Sequence, residues 1–151
     1  MNNPSFVHLD VNTEYTLGRS TIRQDQLIDA CIEMGMPAFG VTEHNNLFSA
    51  YKLYKSSQKK GVKYIIGSTV TIFDKKERTK SKLSLLCENE VGYKNLCALI
   101  TQSYTKGLKN NEPVIDSKWL DGQTEGLIAI SSYNSGYFPQ SKSSDLTISS
   151  A

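Results

Sequence analysis

The sequence is poor in several things, and each shortage narrows what it can encode. It has only three cysteines, Cys31, Cys87 and Cys97, an odd number with no Cys-x-x-Cys pair. That excludes a disulfide-stapled secreted scaffold and a cysteine zinc knuckle, and leaves reduced core residues. Long apolar runs are missing too, since nothing approaches the roughly 20 residues that span a bilayer. The start, Met1-Asn2-Asn3-Pro4, lacks the basic and apolar segments of a signal peptide. Charge of one sign is likewise scarce. Seventeen Lys and Arg against fifteen Asp and Glu leave +2, too little for bulk charge to select a nucleic acid or an anionic membrane. Together these absences predict a cytoplasmic protein with no membrane partner.

What is present fits one domain. A chain of 151 residues, 38% of them hydrophobic, is long enough to bury a core. One stretch, Val41-Thr42-Glu43-His44-Asn45-Asn46-Leu47-Phe48, organises the rest. It sets an acid and one of only two histidines where a buried strand, residues 37–42, hands over to a helix from about Asn46 to Lys59. Pockets of α/β enzymes gather at such strand ends. Leu47, Ala50, Tyr51 and Tyr54 recur at helical spacing and predict an inward face.

The remaining elements follow in order. Phe6 to Val11 alternates, which predicts a first strand with Val7, Leu9 and Val11 on the core side and His8 and Asp10 opposite. His8 reads as a hydrogen-bonded histidine at the base of that strand, and residues 13–20 as a polar loop. Thr21 and Gln24 form a capping-box pattern opening a helix whose stripe is Leu27, Ile28, Cys31 and Ile32, with Gly35 as its stop. Val62 to Phe73 is β-branched and aromatic, a third strand. The basic run between Asp74 and Lys82 reads as the solvated tip of a hairpin returning along Leu83 to Cys87. Asn89 caps a helix with Leu96, Leu99, Ile100 and Tyr104 inward and Lys106 and Gly107 at its end. Asp116 caps a short turn, and Gly126 to Ser131 is a last buried strand. The spacing of the tyrosines predicts core and interface packing rather than stacking on bases. Helices between apolar strands predict a largely parallel α/β layer or barrel with one inserted hairpin. Residues 133–151 carry six serines and almost no periodicity, which predicts a poorly ordered tail after a domain at 1–132.

Six blocks are specific enough to name a relative: Phe6-Val7-His8-Leu9-Asp10-Val11-Asn12 and its continuation to Leu17, Gly35 to Ala38, Val41 to Phe48, Ile65 to Gly67, Leu85 to Leu96 and Glu125 to Ser131. In their order and spacing the chain, from about residue 4 to 132, resembles the amino-terminal PHP (polymerase and histidinol phosphatase) domain of the bacterial replicative DNA polymerase III alpha subunit. The resemblance implies a partial, distorted (β/α)7 barrel of the PHP type, because the family's domain is longer than this chain. It also implies a place in DNA replication beside the rest of the polymerase alpha subunit, with docking of the proofreading exonuclease subunit and only indirect contact with DNA.

Metal-binding members carry His-x-His on the first strand, which puts both imidazoles on one side of it. Here those positions are Asp10 and Asn12. The family's Asp-His after the second strand becomes Glu43-His44, its Gly-x-Glu becomes Gly67-Ser68-Thr69, the histidine opening the next strand becomes Lys82, and the cysteine after the last strand becomes Tyr133. An ammonium among the ligands opposes the cation it would share the site with. Asp10, Asn12, Glu43 and His44 therefore read as a vestigial metal site with no cofactor expected, a single loosely held zinc or manganese ion being the alternative. The leading expectation is a non-catalytic scaffold. The competing one is a metal-dependent phosphoesterase or 3′ to 5′ exonuclease with Asp10, Glu43 and His44 as ligands; a free-standing amidohydrolase-like enzyme is a weaker third.

Overall fold

The computed structural model describes residues 6–76 and 78–131. In chain order the elements are α1 (Gln24–Glu33), β1 (Ala38–His44), α2 (Ala50–Lys60), β2 (Lys63–Asp74), β3 (Thr79–Cys87), α3 (Glu90–Thr105), three two-residue strands β4 (Leu108–Lys109), β5 (Glu112–Pro113) and β6 (Ile115–Asp116), a 3-10 turn at Ser117–Leu120, and β7 (Leu127–Ser131). The main sheet runs β1-β2-β3-β7, with β6 on β2 where β1 has ended. β1 pairs β2 in parallel, while β2–β3 and β3–β7 are antiparallel. The α/β class is as expected, but the sheet is mixed rather than largely parallel and forms no closed barrel among the described residues. No helix among them is long and apolar enough to cross a membrane.

Alternation along the strands sends two sets of residues to two faces. One face is apolar and covered by helices: Phe39 and Val41 pack with Leu27, Ile28, Cys31 and Leu53 of α1 and α2. Further along, Val70, Ile72, Leu83 and Leu85 pack with Leu96 and Leu99 of α3. Burying each such side chain is worth about 1.5–3 kcal/mol, so this face holds the molecule together. The opposite face carries the cross-strand row His44, Thr69, Ser84 and Ile130, and it is where the pocket lies.

Several expected features take another form. The first strand is one isolated bridge, Val11 to Val41. Its bonds to β1 run from the Gly40 amide to the His8 carbonyl and from the Val11 amide to the Gly40 carbonyl, which leaves one residue more than a regular parallel ladder holds. That bulge-like insertion breaks the alternation: Leu9, expected on the core side, is 38% exposed, and only Val11 packs on the core. Gly40 permits the approach, because a Cβ there would sit 2.7 Å from the Leu9 carbonyl oxygen. The capping box does not form either. α1 starts at Gln24, whose amide donates to Glu14 Oε2 at 2.9 Å, and Ile32 faces solvent.

β1 runs two residues past its expected end, to His44. It stops where Asn45 takes φ 54°, a conformation asparagine tolerates. Asn46 then accepts from the Phe48 amide at 3.1 Å, which delays α2 to Ala50. The buried residues of α2 are Ala50, Leu53 and Ser57, while Tyr51 and Tyr54 are exposed, as are Tyr93 and Tyr104 on α3. Of the tyrosines expected inside, Tyr64 is the one stacked in the core, its ring on Phe39 at 5.3 Å. Asn89 caps α3 through the Gly92 amide and Asp116 caps the 3-10 turn, both as expected. β3 begins at Thr79, so the hairpin tip is shorter than its charge run. β7 is a half-exposed edge, not a buried strand, with Ile128 51% exposed. Cys31 is buried, Cys87 and Cys97 are half-buried, and all three are free. The serine-rich tail and Tyr133 lie outside the described residues.

Candidate functional site

A cavity of about 180 Å³ opens on the face away from the helices, lined by Asp10, Asn12, Arg19, His44, Thr69, Lys82 and Ser84 with Ile130. It brings together Asp10, Asn12 and His44, and also Thr69 and Lys82, the two substituted positions. His44, Thr69 and Ser84 come from the single row crossing β1, β2 and β3. Asp10 and Asn12 enter from the bridged stretch beyond the bulge, which throws His8 out of phase with them.

Around Asp10 the polar groups are knitted together. Its Oδ1 accepts from the Thr42 hydroxyl and from Ser84 Oγ, the latter at 3.2 Å. Thr69 Oγ1 lies 2.8 Å from Ser84 Oγ, and because the serine proton is committed to Asp10, the threonine is the donor. Asn12 Nδ2 donates to the Thr42 carbonyl at 3.2 Å. This chain of bonds points its protons at one carboxylate oxygen.

Glu43 is not part of that pocket. It sits one residue along β1 from Thr42 and so faces the other way, where it is 1% exposed. Four groups donate to its carboxylate: the Thr13 amide at 3.2 Å, the Thr13 and Thr16 hydroxyls, and Ser49 Oγ at 3.1 Å. The Thr16 hydroxyl in turn accepts from the His44 amide at 3.1 Å. Glu43 thus ties the 13–16 loop to β1 and α2. It is a positioning residue, and the expected ligand trio of Asp10, Glu43 and His44 is split between two faces of a strand.

The proton on His44 follows from its neighbour. Asn45 Oδ1 accepts from the Thr71 amide at 3.1 Å and Nδ2 donates to the Pro113 carbonyl at 3.3 Å, which fixes the amide's orientation. The second proton of Nδ2 faces His44 Nε2 at 3.4 Å, so Nε2 supplies the lone pair and the neutral ring carries its proton on Nδ1. That Nδ1 is buried without a partner among the described residues. Burial, reinforced by Lys82 and Arg19, holds the His44 pKa below the usual histidine value. Burial and then Arg19 also lower that of Lys82, with Glu112 opposing. Neither Lys82 nor Arg19 has a carboxylate ion-pair partner among the described residues. Glu112 is held by Lys80.

These residues do not fit a divalent metal. A transition-metal site needs converging anionic and imidazole lone pairs. The cavity wall offers one carboxylate already accepting two hydroxyls and one imidazole whose free nitrogen bears hydrogen, against two cations. No group of three or more His, Cys, Asp and Glu converges among the described residues. Arg19 had no sequence signal, lying in a polar loop without periodicity. The Glu43 nest had one, since Thr13, Thr16 and Ser49 are hydroxyl residues near a buried acid, but only the fold joins them.

A family model described as the PHP domain matches residues 8–147. The DNA polymerase III subunit alpha of Buchnera aphidicola subsp. Acyrthosiphon pisum is 38% identical over 133 residues, which is 87% of this chain and 12% of that protein. The subunit from Vibrio cholerae is 37% identical over 137 residues, 90% of this chain and again 12% of the relative. The chain thus spans about an eighth of the length of the curated relatives it matches. Among solved structures, a candidate metal-dependent phosphoesterase from Bifidobacterium adolescentis superposes with a TM-score of 0.53 at 12% identity, over 67% of this chain and 34% of that one. An amidohydrolase from Chromobacterium violaceum, solved with bound sulfate and no metal, gives 0.51 at 12% identity, over 64% and 32%. At that identity the two structures speak for the fold alone.

Proposed function

The chain belongs to the PHP domain family, and from that premise we propose that it is the PHP portion of a DNA polymerase III alpha subunit, acting in DNA replication as a non-catalytic scaffold. Its partners are the rest of the alpha subunit and the proofreading exonuclease subunit, with DNA contacted only indirectly. The observation that carries this reading is the cavity wall: among the described residues Lys82 and Arg19 have no carboxylate ion-pair partner where a hydrolase would hold metal, and Glu43 is spent on the fold. A metal hydrolase must present lone pairs to its ions and keep a bound water for attack. This wall presents an ammonium and a guanidinium instead, beside a single carboxylate.

Two measurements test the proposal. The chain, supplied with manganese or zinc, should release no phosphate from nucleotides or DNA 3′ ends above the background of an Asp10→Ala variant. Release lost in that variant would overturn the scaffold reading in favour of a PHP phosphoesterase or exonuclease. Co-elution of the chain with the exonuclease subunit on a sizing column is expected; separate elution at micromolar concentrations would remove the docking role.

A further inference from the structure

We propose that the layer formed by α1 and α2 is a self-association surface, on which a second copy of this chain docks about a two-fold axis that sets α2 of each copy on α1 of the other. The proposal goes beyond the scaffold reading and is independent of the cavity. The two helices cover the same end of the sheet and carry opposite charge. α1 has Asp25, Asp29 and Glu33 and no base, while α2 has Lys52, Lys55, Lys59 and Lys60 and no acid. Spacings of three and four put Asp25, Asp29 and Glu33 on one stripe and Lys52, Lys55 and Lys59 on another, and all six are exposed. Among the described residues Lys60 and Asp29 form the one ion pair that joins the helices, and Lys52, Lys55 and Lys59 have none. Lysines three and four apart repel one another along a helix, so the stripe gains from acids brought by another molecule.

The complementary stripes choose the occupant. A nucleic acid would neutralise α2 but be repelled by α1 beside it, whereas a second copy satisfies both helices, because a two-fold interface makes every contact twice. Exposed ion pairs alone hold little, and apolar side chains supply the rest. Phe48, Tyr51 and Tyr54 on the α2 side and Ile22 and Met34 on the α1 side all stand in solvent, and aromatic residues and methionine are what interfaces gather. Between the helices lies a depression of about 260 Å³ lined by Gln24, Asp25, Lys52, Leu53 and Ser56. It seats an anchor such as Tyr51 of the other copy. The layer is small, since helices of 10 and 11 residues are about 15–17 Å long at a rise of about 1.5 Å per residue. That falls short of the roughly 800 Å² per partner of a standard interface, so the dimer is weak, with a dissociation constant on the order of 100 µM.

Sedimentation velocity of the chain, from about 10 µM to about 1 mM, tests the proposal by mass. A monomer–dimer equilibrium is expected, weakening about tenfold between roughly 50 and 500 mM salt. One variant carries Lys55→Glu with Lys59→Glu, and a second carries Asp25→Lys with Glu33→Lys. Each alone should self-associate at least about tenfold more weakly, because like charges then meet at both contacts. An equimolar mixture of the two should dimerise within about threefold of the parent, since each swapped stripe meets its opposite. That recovery also shows both variants to be folded. Tyr51→Ala should weaken the dimer about tenfold with the thermal midpoint of the chain unchanged. A monomer at every concentration, with or without single-stranded DNA retained on the lysines, would overturn the proposal. So would species heavier than a dimer, a dimer indifferent to the charge swaps, or a mixture that fails to recover while both variants keep the parent dichroism spectrum.

Discussion

Thr42 and His44 on one side of β1, and Glu43 between them on the other, live in opposite circumstances. Glu43 is closed in, with four donors on its carboxylate. Across the strand, among the described residues, His44 keeps a buried nitrogen unpaired, and Lys82 and Arg19 have no carboxylate ion-pair partner. The first region is polar chemistry turned to architecture, since a buried charge that is fully hydrogen-bonded orders everything that touches it. The second is polar chemistry left unsatisfied at an open cavity, the condition in which a site still has something to offer a ligand. A single strand holds both because its side chains alternate.

The contrast can be broken first at Glu43. Glu43→Ala removes the acceptor from four donors, and with charged hydrogen bonds worth about 1.5–3 kcal/mol each the loss should be on the order of 3 kcal/mol or more. For a domain of this size that is about 6–12 °C in thermal midpoint, readable by dichroism, and a shift under 2 °C would mean the nest is not a structural centre. Next comes Glu43→Gln, which keeps the volume but presents an amide N–H to hydroxyls that must then turn. About 1–2 kcal/mol is expected, clearly less than for alanine in a parallel urea titration. On the pocket side Asp10→Asn should move stability by no more than about 0.5–1 kcal/mol, since Asp10 is exposed and its loss breaks no core packing. An effect equal to that of Glu43→Gln would erase the distinction between the two faces.

The smallest expected effect is on pH dependence. Burial, Lys82 and Arg19 lower the His44 pKa in the folded chain, so the unfolded chain binds the extra proton more readily. Stability therefore rises with pH across that range: the His44 contribution is intact above the unfolded value near 6.5 and is lost as pH falls toward the folded value. Urea midpoints at pH 8 and 5.5 should differ by more in the parent chain than in His44→Gln. Equal differences would show that His44 is not held neutral.

How much of this was legible beforehand depends on what each residue answers to. The helix-capping role of Asn89, the hairpin and the apolar rows of β2 and β3 follow from local pattern, and the structure has them. The blocks Phe6 to Leu17 and Val41 to Phe48 identified the family and placed Asp10, Asn12 and His44 on one cavity. Glu43 leaves the pocket because β1 continues past residue 42 to His44. Two more residues of strand turn the adjacent Glu43 and His44 from loop neighbours into opposite faces, and a boundary of that size is set by the Asn45 turn and by β2 beside it, not by β1. The bulge between His8 and Val11 was hidden for a similar reason, because alternation in sequence cannot register a ladder that slips by one. Arg19 reaches the cavity from a loop whose path is fixed by Glu43 and the hydroxyls around it, so no periodicity announces it.

The cavity lacks the lone pairs to keep metal ions. Metal content of the purified chain, measured by plasma mass spectrometry after growth with zinc and manganese and dialysis without chelator, tests that most directly. Well under 0.1 ion per chain is the expected result, on the order of what an affinity weaker than about 1 mM leaves behind. One or more tightly retained ions per chain, lost in Asp10→Ala, would contradict it.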